Sequence, residues 1–155
     1  SYRNLTRLTH PVKKAFYVRE IAERVISLTK DRVADSGAVC TYVEKSDDIL
    51  LYADEGQITQ ILINLIKNAT EADAGRIGIT AEINLSEHVI INVFNDGRAI
   101  SKESREEIFV PFFTTKQEGT GIGLSLSRQI MRLHNGTLTL TQSDENGTIF
   151  TLIFR

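Results

Sequence analysis

Residues 108–124 read IFVPFFTTKQEGTGIGL. Gly119, Gly121 and Gly123 stand at alternate positions directly ahead of a segment whose apolar residues recur at helical spacing. Lacking Cβ atoms, they let backbone N–H groups approach an anion closely. A helix starting there adds its own unpaired N–H groups and the positive end of its dipole. Loop and helix start together predict a phosphate site. Just upstream, Phe109-Val-Pro-Phe-Phe forms an aromatic and proline cluster. Thr114-Thr115-Lys116 then places a cation near the same phosphate.

Working outward, the next informative segment is a predicted helix. It starts at Asp54, with Gln57 three residues on in the manner of a capping box. Ile58, Ile61, Leu62, Leu65, Ile66 and Ala69 follow the i, i+3, i+4, i+7 pattern of a buried face. The opposite stripe holds Gln57, Gln60, Asn64, Lys67, Asn68 and Glu71. Asn64 and Asn68 are four apart and project from one side. Asn is a poor helix former because its amide competes for backbone groups. Two of them here point either to an oxygen ligand for Mg²⁺, a hard cation, or to a solvated polar face. The helix alone leaves both open, and the glycine loop downstream favours the ligand.

The rest of the chain gives a fold class. Residues 16–18 are β-prone, and Ile21, Ala22, Val25, Ile26 and Val33 predict a first helix reaching about Ala34. Residues 38–44 and 49–53 read as two strands around the polar turn Lys45-Ser46-Asp47-Asp48. Residues 75–85 and 88–95 read as strands, 101–108 as a short helix, and 121–133 as a third long helix closed by Asn135-Gly136. A hairpin over Asp144-Glu145-Asn146-Gly147 ends the chain. The order lacks regular βαβ alternation, which argues against a doubly wound sheet. The expectation is an α/β (α+β) two-layer sandwich, with a mixed, largely antiparallel sheet covered by three long helices on one face.

Composition narrows the function classes. The 155 residues suit one domain with a real core. Hydrophobic content of 41% and charged content of 25% are those of an ordinary globular protein. A net charge of -2 gives no reason to expect nucleic acid or an anionic membrane as partner. Cys40 is the sole cysteine, which fits a reducing compartment. No apolar run approaches a membrane span, so a cytoplasmic location is expected, whether or not a longer parent is membrane-anchored. Leu5 and Leu8 look like the end of a preceding helix broken by Pro11. Residues 1–14 are therefore read as that helix end and a linker, and 15–155 as the domain.

Three motifs in order carry a family resemblance covering about residues 16–154. QITQILINLIKNA, residues 57–69, resembles the N box of the histidine-kinase catalytic domain. FVPFFTTK, residues 109–116, resembles its F box, and GTGIGL, residues 119–124, its G2 box. The chain is thereby similar to the GHKL superfamily, which also holds gyrase B, MutL and the large ATP-dependent chaperones. The resemblance implies a Bergerat-type sandwich with ATP and Mg²⁺ as ligands. It makes Asn68 the metal-associated residue, with Gly119, Thr120, Gly121, Ile122, Gly123 and Leu124 around the phosphates. It makes Thr115 and Lys116 part of a compact lid, with Lys116 and Lys67 as candidates for the γ-phosphate. Phe109 would be plain core, pack under the lid or touch a partner domain.

The sequence departs from the family at two places. The G1 box normally reads Asp-x-Gly-x-Gly, its Asp accepting from the adenine amino group. Here the stretch is Asn95-Asp96-Gly97-Arg98-Ala99-Ile100. Asn95 stands at the Asp position as a neutral acceptor, with Gly97 and Ile100 completing the expected base pocket. ATP-hydrolysing relatives carry a Glu four residues before the metal Asn, and here that position is Asn64. An amide cannot take a proton from water at neutral pH, so transfer is favoured over hydrolysis. The resemblance implies a protein-histidine kinase whose γ-phosphate passes to a histidine on a separate dimerisation domain, and from there to a response regulator. The isolated domain is expected to be a monomer and the parent a homodimer. His10 precedes Pro-Val-Lys-Lys with no adjacent acid and reads as linker. His134 sits at a helix C-terminus, able to cap carbonyls. The alternatives are an anti-sigma-factor-type serine kinase and a nucleotide-gated module without phosphotransfer.

Overall fold

The computed structural model describes residues 8–111 and 123–155. Chain order is β1 (Lys14–Tyr17), α1 (Val18–Leu28), α2 (Lys30–Asp35), β2 (Val39–Glu44), β3 (Leu50–Ala53) and α3 (Glu55–Glu71). Then come β4 (Arg76–Ile83), β5 (Val89–Asn95), α4 (Gly123–Leu133), β6 (Gly136–Asp144) and β7 (Gly147–Phe154). Five strands form one sheet in the order β2-β4-β5-β7-β6, with β1 and β3 in a separate two-stranded sheet. Only β2 runs parallel to its neighbour, β4; the pairs β4–β5, β5–β7 and β6–β7 are antiparallel.

The core follows from the two periodicities. Ile77 and Ile79 of β4, Ile91 of β5 and Leu152 of β7 alternate onto one face of the sheet and are buried. Against them pack Ile21 and Val25 of α1, Ile58, Ile61, Leu62, Leu65 and Ile66 of α3, and Ile130 and Met131 of α4. The two-layer sandwich with its largely antiparallel sheet is as the sequence predicts.

Several local expectations change. The first helix is two: the Thr29 hydroxyl donates to the Val25 carbonyl at 2.8 Å, α1 ends there, and α2 follows as a separate short helix. The strands flanking Lys45-Ser46-Asp47-Asp48 do not form a hairpin. β2 pairs with β4, and β3 pairs with β1. Residues 101–108 hold no α-helix but two short 3₁₀ turns, Lys102–Ser104 and Glu107–Phe109. For the third long helix, residues 121 and 122 lie outside the described residues, and α4 begins at Gly123.

The start of α3 is only half a capping box. Asp54 Oδ1 accepts from Gln57 N at 3.0 Å, satisfying one orphan donor of the first turn. The Gln57 side chain does not return to Asp54. It is buried, and its Nε2 donates to the Thr9 carbonyl at 3.0 Å. Asp54 N donates instead to His134 Nε2 at 3.0 Å, while His134 Nδ1 lies 2.8 Å from the Ile130 carbonyl. These partners require the neutral imidazole with its proton on Nδ1. The end of α4 and the start of α3 are thus pinned together.

Candidate functional site

A cavity of about 690 Å³ opens between the C-terminal half of α3, the start of α4 and the ends of β5 and β7. Asn68, Glu71 and Ala72 form its α3 wall. Asn95, Thr148 and Phe150 come from the sheet, and Leu124 from α4. Arg98 to Ser101, with Ser104 and Ile108, close the remaining side. Its depth is set by register: Asn95 lies opposite Thr148 and Val93 opposite Phe150, which brings β7 side chains beside the end of β5.

The loop after β5 is held close to α3. A Cβ on Gly97 would meet the Ala72 carbonyl oxygen at 2.5 Å and the Ala72 Cβ at 2.9 Å, so only glycine allows this approach. Arg98 N donates to the same Ala72 carbonyl at 2.8 Å. The Arg98 guanidinium pairs with the Asp73 carboxylate and donates to the Glu71 carbonyl. Ile100 N donates to Ser143 Oγ at 2.7 Å, and Ser143 Oγ lies 2.8 Å from Thr148 Oγ1. This chain of bonds ties the loop to the final hairpin.

Asn95 and Asp96 face different tasks. Asn95 is 6% exposed, and its Oδ1 accepts from Gly97 N at 2.9 Å. Asp96 Oδ1 accepts from Gly75 N and Arg76 N, each at 2.8 Å. The bond from Arg76 N is the main reason its carboxyl lies below the ordinary value, against a smaller opposing effect of burial. Asp96 therefore fastens the start of β4 and does not line the cavity.

The α4 end has its own signature. A Cβ on Gly123 would meet Asn64 Oδ1 at 2.3 Å and Nδ2 at 2.8 Å, so the first turn of α4 rests on the Asn64 amide. Among the described residues Asn64 Nδ2 has no hydrogen-bond partner, and it is sealed from solvent. Asn68, one turn along the helix, offers a side-chain oxygen of the kind Mg²⁺ takes. Among the described residues no group of three or more His, Cys, Asp or Glu side chains could hold a metal ion.

Of the residues singled out from sequence, the cavity wall includes Asn68, Asn95, Ile100 and Leu124. Asn64, Gly97 and Gly123 shape it from behind through the contacts above. Lys67 is exposed and not in the wall. Phe109 is buried against the Phe150 ring, 6.3 Å away edge-on, with the Arg128 guanidinium 3.5 Å over its face. Thr115, Lys116, Gly119, Thr120, Gly121 and Ile122 lie outside the described residues. The sequence gives no local signal for Thr148 and Phe150: a Thr and a Phe in an alternating strand look like sheet residues until β7 is placed beside β5.

Comparisons with known proteins converge on one family. Residues 53–155 match the model described as histidine kinase-, DNA gyrase B-, and HSP90-like ATPase. The sensor histidine kinase ZraS of Salmonella typhimurium is 36% identical over 104 residues, 66% of this chain and 22% of that protein. Among solved structures, the nucleotide-free catalytic domain of the histidine kinase ThkA is 33% identical with a TM-score of 0.82, covering 92% of this chain and 94% of that one. ThkA has also been solved in complex with the response regulator protein TrrA. Full-length ShkA in complex with AMPPNP shares the fold, at a TM-score of 0.87 and 22% identity over 99% of this chain and 33% of that one. The chain spans between a fifth and a third of the length of curated relatives such as ZraS and sporulation kinase C of Bacillus subtilis.

Proposed function

The chain belongs to the family of histidine kinase-, DNA gyrase B- and HSP90-like ATPases and is a catalytic ATP-binding domain of the sensor histidine kinase type, and from that premise we propose how its own residues serve phosphoryl transfer. ATP lies in the cavity between α3, α4 and the sheet, its base toward Asn95 and its phosphates toward the start of α4. The glycine loop, Gly119 to Gly123, supplies backbone N–H groups, with Thr120, Ile122 and Leu124 completing it. Asn64 braces the first turn of α4 from behind. Asn68 holds Mg²⁺ together with phosphate oxygens; when bound, the ion neutralises charge on the transferring group. Thr115 and Lys116 cover the γ-phosphate, and Lys67 stands near it. Phe109, Gly97 and Ile100 hold the two sides of the cavity in place.

The observation that carries this reading is the cavity that brings Asn68 of α3, Asn95 of β5 and Leu124 of α4 into one wall. Asn64 is no proton acceptor, so the site positions a phosphoryl group and does not activate water. The γ-phosphate goes to a histidine on a separate dimerisation domain of the parent, then to a response regulator. Residues 1–14 lead from that domain and 15–155 form the catalytic one. The parent works as a homodimer in the cytoplasm, and the isolated domain is a monomer. The described residues include no helix long and apolar enough to cross a membrane.

Incubation with radiolabelled ATP tests this. The 155-residue chain should bind Mg-ATP without labelling itself and release phosphate slowly. A helical domain supplied in trans should become labelled on histidine with acid-labile phosphate. Acid-stable label on a serine would favour the serine-kinase alternative, and rapid phosphate release would move the protein to the ATPase branch.

A further inference from the structure

A side-chain amide has an acceptor end and a donor end of nearly identical shape, and its partners decide which way it points. For Asn95 the partner is unambiguous. Gly97 N–H can only donate, and it lies 2.9 Å from Asn95 Oδ1. The oxygen is therefore held by the turn. Nδ2 has no hydrogen-bond partner among the described residues. Nor is it among their sealed orphan atoms, which are Gln57 Oε1, Asn64 Nδ2 and Arg105 Nε. Asn95 is more than nine-tenths buried and lines the cavity, so its free amide hydrogens face the cavity. Nothing beside it reverses that polarity: the Asp96 carboxylate is turned to Gly75 and Arg76, and the Thr148 hydroxyl is paired with Ser143.

A donor at this point of the wall calls for a ring acceptor. The 6-position of a purine is an amino donor in adenine and a carbonyl acceptor in hypoxanthine and guanine. Donor facing donor leaves both unpaired and penalises the ligand. We propose that Asn95 makes the base end of the cavity receptive to 6-oxopurine nucleotides: its NH₂ donates to O6 of an inosine or guanosine nucleotide, and adenine is held through its ring acceptor N1 and not through its amino group. The inference rests on the nucleotide-site reading above. It also predicts what a carboxylate would do. In Asn95→Asp one oxygen keeps the Gly97 N–H and the other faces the cavity as an acceptor, matched to the adenine amino group and opposed to O6.

Competition calorimetry on the 155-residue chain with Mg-ADP and Mg-IDP is the test, since the two differ only at the ring 6-position and the N1 proton. Wild type should prefer ADP by less than about fivefold, or prefer IDP, and Asn95→Asp should swing the ratio about tenfold toward ADP. A wild-type preference for ADP above about fivefold overturns the proposal, as does a ratio that Asn95→Asp leaves unchanged. Should the variant fail to fold, the wild-type ratio decides alone. Binding of neither nucleotide would instead overturn the nucleotide-site reading, and this inference with it.

Discussion

The two ends of α3 share one backbone and do opposite things. At the N-terminal end nearly every polar group is matched within the protein. Asp54 accepts from Gln57 N with one oxygen and from Val12 N, at 2.8 Å, with the other. Asp54 N meets His134, the Gln57 amide meets the Thr9 carbonyl, and Glu55 meets Lys14 at 3.1 Å and Arg24 at 3.0 Å. Gln57 Oε1 is the exception. At the C-terminal half the Asn64 amide is left with an unmet donor, and Asn68 and Glu71 line an open cavity. The difference separates an anchor from a binding wall. The first end fixes where the helix lies relative to the entering chain and to α4, and the second borders the cavity.

The comparison breaks most directly at Asp54. Asp54→Ala removes the cap and the bond to Val12 together and should cost roughly 2–4 kcal/mol of folding stability by denaturant titration. Nucleotide affinity, corrected for the unfolded fraction, should barely change. A matching loss of affinity would mean the two ends are coupled and not separate in role.

Gly97→Ala attacks the wall from behind. Its Cβ would meet backbone at 2.5 Å, which a side-chain rotation cannot relieve, so a loss of about 1–3 kcal/mol in stability is expected, accompanied by weaker binding as the loop moves off Ala72. Unchanged binding in calorimetry would detach this loop from the site.

Asn68→Ala sharpens the contrast from the other side. It should weaken Mg-nucleotide binding about tenfold, or ~1.4 kcal/mol, by calorimetry corrected for the unfolded fraction. Equal affinity with and without Mg²⁺ in wild type would remove the metal role from Asn68.

The smallest effect is electrostatic. Hydrogen bonds from Lys14 and then Arg24 hold the Glu55 carboxyl below its ordinary value. Burial pushes the Asp54 carboxyl up, but the N–H bonds from Val12 and Gln57 outweigh it and leave that carboxyl lowered too. A lowered folded pKa means stability fully present above the unfolded value and lost as pH falls through the folded one. Glu55→Gln should therefore flatten the acid side of a melting-temperature profile and cost less than about 1 kcal/mol near neutral pH, less again in high salt. An unaltered acid slope would place the acid sensitivity elsewhere.

Much of this was legible in the chain itself. The apolar stripe from Ile58 to Ala69, the Asp54 cap and the β-prone runs are local: each is set by periodicity or by a residue acting on backbone a few positions away. The glycine spacing that predicts a phosphate site is local in the same way, and residues 119–122 of it lie outside the described residues. Sheet pairing was not local. Residues 38–44 and 49–53 read as strands around a polar turn, yet any strand offers the same backbone donors and acceptors, so a β-prone run cannot name its neighbour. The tertiary arrangement decided it, setting β2 parallel beside β4 and sending β3 to β1. Thr148 and Phe150 entered the cavity wall through that same long-range register.

Asn95 shows the division within one residue. The sequence alone placed an amide where a carboxylate is usual and suggested a neutral acceptor there. Which end of the amide meets the cavity depends on where Gly97 N–H lies, and that depends on the loop packing against Ala72. Residue type is written in the chain, whereas the polarity a symmetric-looking group presents is settled by the partner that the fold brings to its other side.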